Sequence, residues 1–492
     1  MSDLILFWHR RDLRSVDNIG LAEARKRSDR IVGVFCLDPI YLGRDDVAAT
    51  RVTYLIGCLQ ELQENYRKAG TELIILHQPP IEGLPKLAKA LSAKAVYLNR
   101  DVEPYGRSRD RSVADALKQI NIEVQGYWDQ LMHPPQKIST GSNKPYTVFS
   151  PFWRNWSSKP KAAPAAALEQ AIGLTEAERE AARQAGAIPL PSAKELGFVW
   201  ENPLLLNPGT ASAQARLEEF CDRAISDYKE QRNFPANEDG TSHLSAALKF
   251  GAIGVRTVWA ATEQVAQQIR SEEAESSLRT WRQELAWREF YQHALFWFPE
   301  LAEGVYRKLL KNFPWDNNPD YFQAWCEGQT GYPIVDAAMR QMNELGWMHN
   351  RCRMITASFL CKDLFVSYQL GEKYFMQRLY DGDQSANNGG WQWCTSSGMD
   401  PQPLRIFNPA SQTQKFDEDA AYIRNWLPEL RSIETEELVT GKISKSDRDR
   451  CGYPAPIVDH RIQQAEFKRR YSVQREKFSG QEEETAEPLP VE

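Results

Sequence analysis

Short apolar runs of strand length recur through the first 130 residues of the chain. Continuous runs of this kind are typical of strands that are buried on both faces of a parallel sheet. Four strong runs cover residues 4–8, 31–37, 72–76 and 95–98. A weaker fifth run covers residues 122–128.

Helical stretches separate these runs. In 52–69, apolar side chains recur at spacings of three and four residues, which places them on one face of a helix. Alternating strands and helices predict a doubly wound, five-stranded parallel sheet. Neither GxGxxG nor GxxxxGK[ST] follows any run, so this sheet lacks the usual phosphate-binding loops. A ligand of the sheet is therefore expected at the carboxyl ends of its strands.

The character of the chain changes after residue 156. Residues 157–164 have the composition of a linker, and only short helical pieces follow up to residue 209. From 210 onward the pattern is helical, and eleven of the fifteen tryptophans lie from Trp200 onward. The pattern predicts an α/β domain at 1–132, a connector at 133–209, an all-α domain at 210–478 and a disordered acidic tail at 479–492.

Composition excludes several classes of protein. With 42% hydrophobic and 26% charged residues, the chain has the balance of a folded globular protein. It contains neither a run of ~20 apolar residues nor a secretory signal, so we expect a cytoplasmic protein without a membrane segment. The net charge of −6 neither indicates nor excludes binding to nucleic acid. Five of the acids lie in the tail, so the rest of the chain is nearly neutral and can still carry a local basic patch. There is no CxxC and no HExxH, so no metal site is predicted.

Four polar segments interrupt the aromatic helical half. The first contains Gly240, Thr241 and Ser242 just before an apolar helix. Backbone amides and hydroxyls at such a helix start suit a phosphate group, and a simple N-cap explains the segment equally well.

The second segment places an acid, a base and two aromatic rings on one helical face. Glu284, Trp287, Arg288 and Tyr291 recur at i, i+3, i+4 and i+7. A face that mixes charge with tryptophan is atypical of a plain core and of a plain surface. The alternative is a solvated helix whose tryptophans are packing anchors.

The third and fourth segments extend this polar set. In 346–354, Asn350, Arg353 and Met354 share one helical face, while His349 lies off it and is interpreted as structural. The segment 381–393 gathers two carboxylates, two asparagines and three glycines. It does not match a calcium loop, which needs glycine at position 6 and glutamate at position 12.

Together these segments resemble the photolyase/cryptochrome family, and more narrowly its class I cyclobutane pyrimidine dimer photolyases of the cyanobacterial, deazaflavin-using type. The resemblance extends from residue 7 to about residue 454. Its motifs are FWHRRDLR at 7–14, GYPIVDAAMR at 331–340, WMHNR at 347–351, DGDQSANNGGWQW at 381–393 and RIFNP at 405–409.

The resemblance implies an N-terminal α/β domain, a long connector and a helical domain that holds FAD in a bent conformation. Asp383 and Arg353 would pair beside the isoalloxazine ring, and Asn387 would face its N5 atom. Plant cryptochromes typically carry aspartate at that last position, so Asn387 favours a repair enzyme. The implied cofactor-binding residues are Tyr228, Thr241, Ser242, His243, Leu244, Ser245, Trp281, Trp347, Asn350, Arg353, Asp381, Gly382, Asp383 and Asn387.

The implied activity is light-driven repair of ultraviolet-damaged DNA, single- or double-stranded, by electron transfer from reduced FAD to a flipped-out pyrimidine dimer. The resemblance implies a monomer without an obligate protein partner. The implied catalytic residues are Glu284, Asn350, Asn387 and Met354. Residues that would contact the dimer or the flanking strand are Arg232, Glu284, Trp287, Arg288, Asn350, Arg351, Trp393, Arg405 and Gln412.

A second, light-harvesting chromophore is implied in the α/β half. The predicted antenna is 8-hydroxy-5-deazaflavin, and methenyltetrahydrofolate is the alternative. The residues that correspond to the deazaflavin pocket are Phe35, Cys36, Arg51, Asp101, Glu103 and Lys249.

Relatives pass electrons from the surface to the flavin through three tryptophans. Trp391 and Trp315 match the inner and outer positions, but Tyr368 occupies the middle one and Ser367 replaces the usual aspartate. A tyrosine is harder to oxidise than a tryptophan unless its proton leaves, and no adjoining base is evident in the sequence. We therefore expect photoreduction to be slowed or rerouted while repair survives.

Two other readings compete with repair. One is a cryptochrome-like blue-light sensor that repairs nothing. The other is a nucleic-acid binder with a vestigial flavin pocket. The set of dimer-pocket and flavin residues favours repair over both.

Overall fold

The computed structural model of the chain describes residues 2–399 and 404–478, so the predicted tail at 479–492 lies outside the described residues. These residues form six β-strands: β1 (Ile5–His9), β2 (Ile31–Cys36), β3 (Leu73–Leu76), β4 (Ala95–Asn99), β5 (Glu123–Tyr127) and β6 (Ala187–Ile188).

The first half and the connector contain seven helices. They are α1 (Ile19–Arg27), α2 (Pro39–Leu42), α3 (Ala49–Lys68), α4 (Pro80–Ala90), α5 (Pro104–Gln119), α6 (Phe149–Ser158) and α7 (Glu176–Ala185).

The second half is helical throughout. Its helices are α8 (Thr210–Arg223), α9 (Tyr228–Gln231), α10 (Ser245–Phe250), α11 (Val255–Gln268), α12 (Glu272–Trp297), α13 (Pro319–Glu327), α14 (Pro333–Leu345), α15 (Asn350–Lys362), α16 (Tyr368–Arg378), α17 (Gln384–Thr395), α18 (Pro409–Phe416), α19 (Ala421–Trp426), α20 (Thr435–Thr440), α21 (Lys445–Cys451) and α22 (His460–Phe478).

The predicted five-stranded parallel sheet is confirmed and gains one strand. Its order is β5-β4-β1-β2-β3-β6, and the first five strands run parallel. The sixth, β6, pairs antiparallel with β3 through Ile75–Ile188 and Leu76–Ala187. It comes from the connector, where the sequence predicted no strand.

Strands β1 to β4 are buried on both faces, as their continuous apolar runs predicted. Consecutive side chains of a strand point to opposite faces. In β2, Phe35 belongs to the core that faces α3 and the helical domain, and Cys36 belongs to the core on the other face.

The two halves are joined by a buried network of two arginines and two aspartates. Arg256 of α11 donates to Asp17 and to Asp129 at 2.6 Å each, and Arg14 donates to Asp129 at 2.6 Å. All four side chains are at most 2% exposed. Paired and hydrogen-bonded in this way, the charges hold the domains in one register, since losing any partner would leave a buried charge unpaired.

The connector packs along the helical half. Trp156 of α6 donates its indole N–H to Glu289 of α12 at 2.7 Å, and the backbone N–H of Met132 donates to the same carboxylate. The domain boundaries at 132 and 209 stay predictions. Among the described residues, no helix is long and apolar enough to cross a membrane.

Candidate functional site

The helical domain contains a cavity of about 520 Å³. Helices α12, α15 and α17 and the segment 241–249 form its walls. All fourteen residues of the predicted cofactor set line it, and so do Glu284, Trp287, Met354 and Trp393 from the predicted dimer pocket. The cavity therefore joins the two predicted sites in one space.

One end of the cavity is formed by the segment before α10. Arg216 holds this segment by donating to the carbonyls of Thr241 (2.8 Å) and Ser242 (3.2 Å). His243 has a φ of 54°, a left-handed conformation that turns the chain sharply. The backbone N–H groups from Ser242 to Ser245 donate to no residue in the described part of the chain. These amides are available to an anionic group of a ligand.

Asp381 forms the polar centre of the cavity. Its Oδ2 accepts hydrogen bonds from the Ser245 hydroxyl (2.7 Å) and the Arg353 guanidinium (2.8 Å). Its Oδ1 is buried and has no hydrogen-bond partner among the described residues. A buried carboxylate oxygen without a donor is costly, so this atom is suited to receive a donor from a ligand.

The predicted pair between Asp383 and Arg353 is wrong, because Arg353 pairs with Asp381. Asp383 instead pairs with Arg11, which follows β1 in the other domain. Burial acts to raise the pKa of Asp383, but the Arg11 guanidinium, the Ala386 N–H and the charges of Lys249 and Arg288 together outweigh it and lower that pKa. Asp383 also begins α17, since its Oδ1 accepts the N–H of Ala386 at 3.0 Å.

Asn387 lines the cavity one turn into α17. Its Nδ2 donates to the backbone carbonyl of Glu372 at 3.0 Å, while the next residue, Asn388, donates to the Glu372 carboxylate at 3.0 Å. Burial raises the pKa of Glu372 to about 7. Sequence reasoning did not single out Glu372, because nothing in the local pattern of α16 distinguishes it from a solvated acid.

Aromatic rings form much of the remaining wall. Tyr228, Trp281 and Trp347 are all buried and line the cavity. The Trp347 ring lies 4.8 Å from the His243 ring, and Trp281 packs on Phe220 at 5.5 Å. These contacts fix the rings that face the cavity.

The mouth of the cavity combines a carboxylate, an amide and a thioether. Glu284 accepts a hydrogen bond from Arg232 at 2.5 Å. Burial raises the pKa of Glu284, and the Arg232 guanidinium acts in the opposite direction. Asn350, at the exposed start of α15, and Met354 lie one turn apart on the same helical face.

Two tryptophans, both partly exposed, stand on different walls of the mouth. Trp287 lies on α12 and Trp393 on α17. The exposed Arg405 stands 5.5 Å over the Trp393 ring. Trp391, two residues earlier, is buried against Phe375 instead, so the two tryptophans of α17 have different neighbours, as expected.

Other residues of the predicted DNA-binding set differ in position. Arg351 donates to Asn233 at 2.5 Å and lies over the Phe416 ring, and Gln412 is half-buried on α18. Arg288 donates to the carbonyls of Gln130 (2.9 Å) and Leu248 (3.2 Å). Its guanidinium thus bridges segments of the protein, and this position does not favour the predicted contact with a DNA backbone.

Three of the predicted antenna residues, Asp101, Glu103 and Lys249, gather around Arg11 where the sheet faces the helical domain. Arg11 pairs with Glu103 at 2.6 Å and with Asp101 at 3.5 Å, and it contacts the Lys249 carbonyl at 3.4 Å. This point lies between β1 and β4, where the strand order reverses and α/β sheets commonly bind ligands.

The other members of the antenna set are arranged differently. Arg51 donates to the Leu379 carbonyl at the end of α16 (3.1 Å). Burial acts to raise the pKa of Tyr41, but the charges of Lys249 and Arg51 help to lower it overall. Phe35 and Cys36 face opposite sides of the sheet, so both side chains cannot point into one pocket there.

The predicted electron-transfer residues lie in neighbouring segments. A Cβ added at Gly371 of α16 would lie 2.2 Å from the Trp391 ring, so that helix packs directly on it. Tyr368 begins the same helix. The N–H of Asp316, next to Trp315, donates to the Phe365 carbonyl at 2.8 Å.

Two further residues lie next to these electron-transfer residues, and the sequence analysis predicted neither. Trp325 lies 6.1 Å from Trp391, ring centre to ring centre. Glu372 lies one turn after Tyr368 on the same helix, so the expectation that no base adjoins Tyr368 is wrong, although no hydrogen bond among the described residues joins the two side chains. Burial, and then the Glu372 carboxylate, raise the pKa of Tyr368.

Comparison with known proteins agrees with the fold and the cavity. A family model described as the FAD binding domain of DNA photolyase matches residues 281–473, and a model described as DNA photolyase matches residues 5–169. The first match lies within the helical domain that contains the cavity, and the second covers the α/β domain and the first part of the connector. They define the class of the chain as a two-domain flavoprotein.

Relatives across the whole length are more specific. The chain is 56% identical over 472 residues to a deoxyribodipyrimidine photo-lyase of Synechococcus sp., with 96% of this chain and 97% of the relative covered. The chain therefore belongs to the DNA photolyase family.

Two solved structures, one of a photolyase and one of a cryptochrome, are similar to the chain over nearly its whole length. A bacterial class III photolyase from Agrobacterium tumefaciens is similar with a TM-score of 0.86 and 32% identity, covering 97% of this chain and 98% of that one. A cryptochrome from Synechocystis sp. PCC6803 is similar with a TM-score of 0.85 and 27% identity, covering 95% and 98%.

The residues of the cavity fit FAD. Among the described residues, the amides at 242–245 have no acceptor and suit its pyrophosphate, and the buried Asp381 Oδ1 and His243 Nδ1 have no partner and can be satisfied by a ligand. The buried tryptophans offer flat apolar surface to its rings.

Proposed function

We propose that the chain is a light-dependent DNA repair enzyme that splits cyclobutane pyrimidine dimers, as a deoxyribodipyrimidine photo-lyase does. The observation that carries this proposal is the mouth of the flavin cavity. There Glu284, Asn350 and Met354 lie between two walls that carry Trp287 and Trp393.

When bound and reduced, FAD would supply the chemistry, namely a light-driven electron for splitting the two carbon–carbon bonds of the cyclobutane ring, with the electron returned and no net redox change. Asp381, held by Arg353 and Ser245, anchors the cofactor through its free oxygen. Asn387 places a neutral amide in the cavity wall, which tolerates a negatively charged ring system better than a carboxylate would.

The mouth has the chemistry that a flipped-out dimer requires. The two tryptophans offer ring area to its apolar cyclobutane side, while Glu284 and Asn350 can hydrogen-bond its base edges. Arg232, Arg351 and Arg405 around the mouth contact phosphates of the damaged strand. Such contacts position the strand without reading its sequence, so single- and double-stranded substrates both bind.

The antenna in this proposal is 8-hydroxy-5-deazaflavin, with methenyltetrahydrofolate as the alternative. The supporting observation is that the charges of Lys249 and Arg51 lower the pKa of the Tyr41 phenol against the effect of burial where the sheet faces the cavity domain, while Arg11 there is paired with carboxylates. The 8-hydroxyl of a deazaflavin is acidic, and such cations favour its anion. Reconstitution with each chromophore, followed by energy transfer to FAD, separates the alternatives.

Electron supply to oxidised FAD is slowed at Tyr368 in this proposal. Burial and the nearby Glu372 carboxylate raise the pKa of Tyr368, and among the described residues no hydrogen bond places Glu372 to take the phenol proton as the ring is oxidised. Trp325 beside Trp391 gives a second route for electrons. Dimer splitting does not use these residues.

The direct test is repair by the chemically reduced protein under blue light. A cryptochrome-like sensor is the other candidate, and the structural similarity to a cryptochrome supports it. It would bind FAD and leave dimers intact in the light. The 56% identity to a photo-lyase over nearly the whole chain favours repair.

A further inference from the structure

The first turn of connector helix α6 reaches the wall of the cavity mouth. The Phe149 ring lies parallel to the Trp287 indole, with ring centres 3.6 Å apart and planes inclined by 7°. Trp287 lines the cavity, whereas Phe149 lies behind it and is absent from the lining. One face of the indole is therefore covered by protein, and the lesion can use only the other face or the edge.

Phe149 is itself held in place by neighbours. Phe290 meets its ring edge-on at 5.9 Å, and Phe152 lies 6.5 Å away. Phe152 is 1% exposed and packs edge-on against Phe290 at 5.3 Å. The ring that supports Trp287 thus belongs to a packed aromatic cluster.

The far end of α6 is fixed to the same helix that carries Trp287. Trp156 donates to Glu289 of α12 at 2.7 Å, and Lys161 stands 4.2 Å over the Trp156 ring. Helix α6 is therefore joined to α12 both beside Trp287 and two residues beyond it. A partly exposed tryptophan without such support would exchange rotamers and close or widen the mouth.

We propose that Phe149 is a positioning residue for lesion recognition, which holds the Trp287 indole in the orientation that receives the dimer. The inference rests on the proposed function, in which Trp287 forms one wall of the dimer site. It adds that the connector, and not only the helical domain, determines selectivity for damaged over intact DNA.

The test measures binding in the dark of a single-stranded oligothymidine with one cyclobutane dimer and of the same strand without it. We expect Phe149→Ala to weaken dimer binding by about two- to tenfold, the value of one aromatic pair, and to leave binding of the intact strand unchanged. Phe149→Tyr keeps a flat ring and should restore binding. Under light, Phe149→Ala should raise KM without lowering the rate at saturating DNA.

Two controls separate positioning from general damage to the fold. Trp153→Ala removes a ring of the same helix that stacks on Trp156, and it should leave dimer preference intact. In a Trp287→Ala background, Phe149→Ala should cost nothing more, because its effect acts through that indole.

Three results would overturn the proposal. The first is an unchanged dimer affinity in Phe149→Ala. The second is a loss of dimer affinity in Trp153→Ala as large as that in Phe149→Ala, and the third is that Phe149→Ala lowers dimer affinity as much in the Trp287→Ala background as in the wild-type protein. A wild-type protein without dimer preference or light-dependent repair would instead refute the proposed function itself.

Discussion

Asp381→Asn should weaken FAD binding more than any other conservative change in the cavity. The substitution keeps the shape of the side chain and removes its charge. In the wild-type protein one oxygen accepts from both Arg353 (2.8 Å) and Ser245 (2.7 Å), and the other is buried, has no partner among the described residues and is available to the cofactor. An amide supplies one acceptor oxygen in place of two. The variant must therefore lose either the bonds to Arg353 and Ser245 or the bond that the second oxygen offers to the cofactor.

The structure also sets the size of the effect. The Asp381 side chain is 2% exposed and that of Arg353 is 27% exposed, so the pair is only partly screened by water. A hydrogen bond to a charged group contributes about 1.5–3 kcal/mol, which corresponds to about a ten- to hundredfold rise in the FAD dissociation constant. Ser245→Ala removes a bond whose donor is neutral and should cost less.

The assay is titration of FAD-free protein with FAD, followed by quenching of flavin fluorescence. Asp45→Asn is the matched control, because Asp45 also pairs with a cation, Lys373, but is 76% exposed and does not line the cavity. Its FAD affinity should equal that of the wild type. An Asp381→Asn protein that is folded and binds FAD within twofold of the wild type would refute the assigned role of Asp381.

Three other predictions test separate parts of the account. Tyr368→Trp should speed light-driven reduction of the oxidised cofactor and leave dimer repair by the chemically reduced protein unchanged; equal photoreduction rates would contradict the role given to Tyr368. Gly382→Ala should lower the melting temperature and FAD retention, since its Cβ would lie 2.5 Å from the Arg51 guanidinium, whereas Gly141→Ala meets nothing within 4 Å and should not. Arg405→Ala should weaken binding of damaged and intact strands alike and reduce the salt dependence of log K by about one ion; an unchanged salt slope would exclude a phosphate contact.

Local pattern was enough to predict the sheet. Four continuous apolar runs became β1 to β4 within one or two residues, because strands buried on both faces need apolar side chains at every position. The two-residue strand β6 escaped prediction, because a segment so short has no pattern of its own and is defined by its pairing with β3.

The candidate site was predictable as a set of residues but not as a set of contacts. Asp381 and Asp383 are two residues apart, and the turn before α17 sends their carboxylates to different partners. Arg11 meets Asp383 across 372 residues of sequence, a distance that no local pattern spans. The stack of Phe149 on Trp287 likewise depends on how the connector folds back.

Light-dependent splitting of pyrimidine dimers is the central claim, and one measurement tests it most directly. Ultraviolet-irradiated oligothymidine is mixed with the chemically reduced, FAD-containing protein, and the thymine absorbance is followed under blue light and in the dark. The account predicts that absorbance recovers in the light only. No recovery in the light, with FAD still bound, would contradict the account and favour a light sensor.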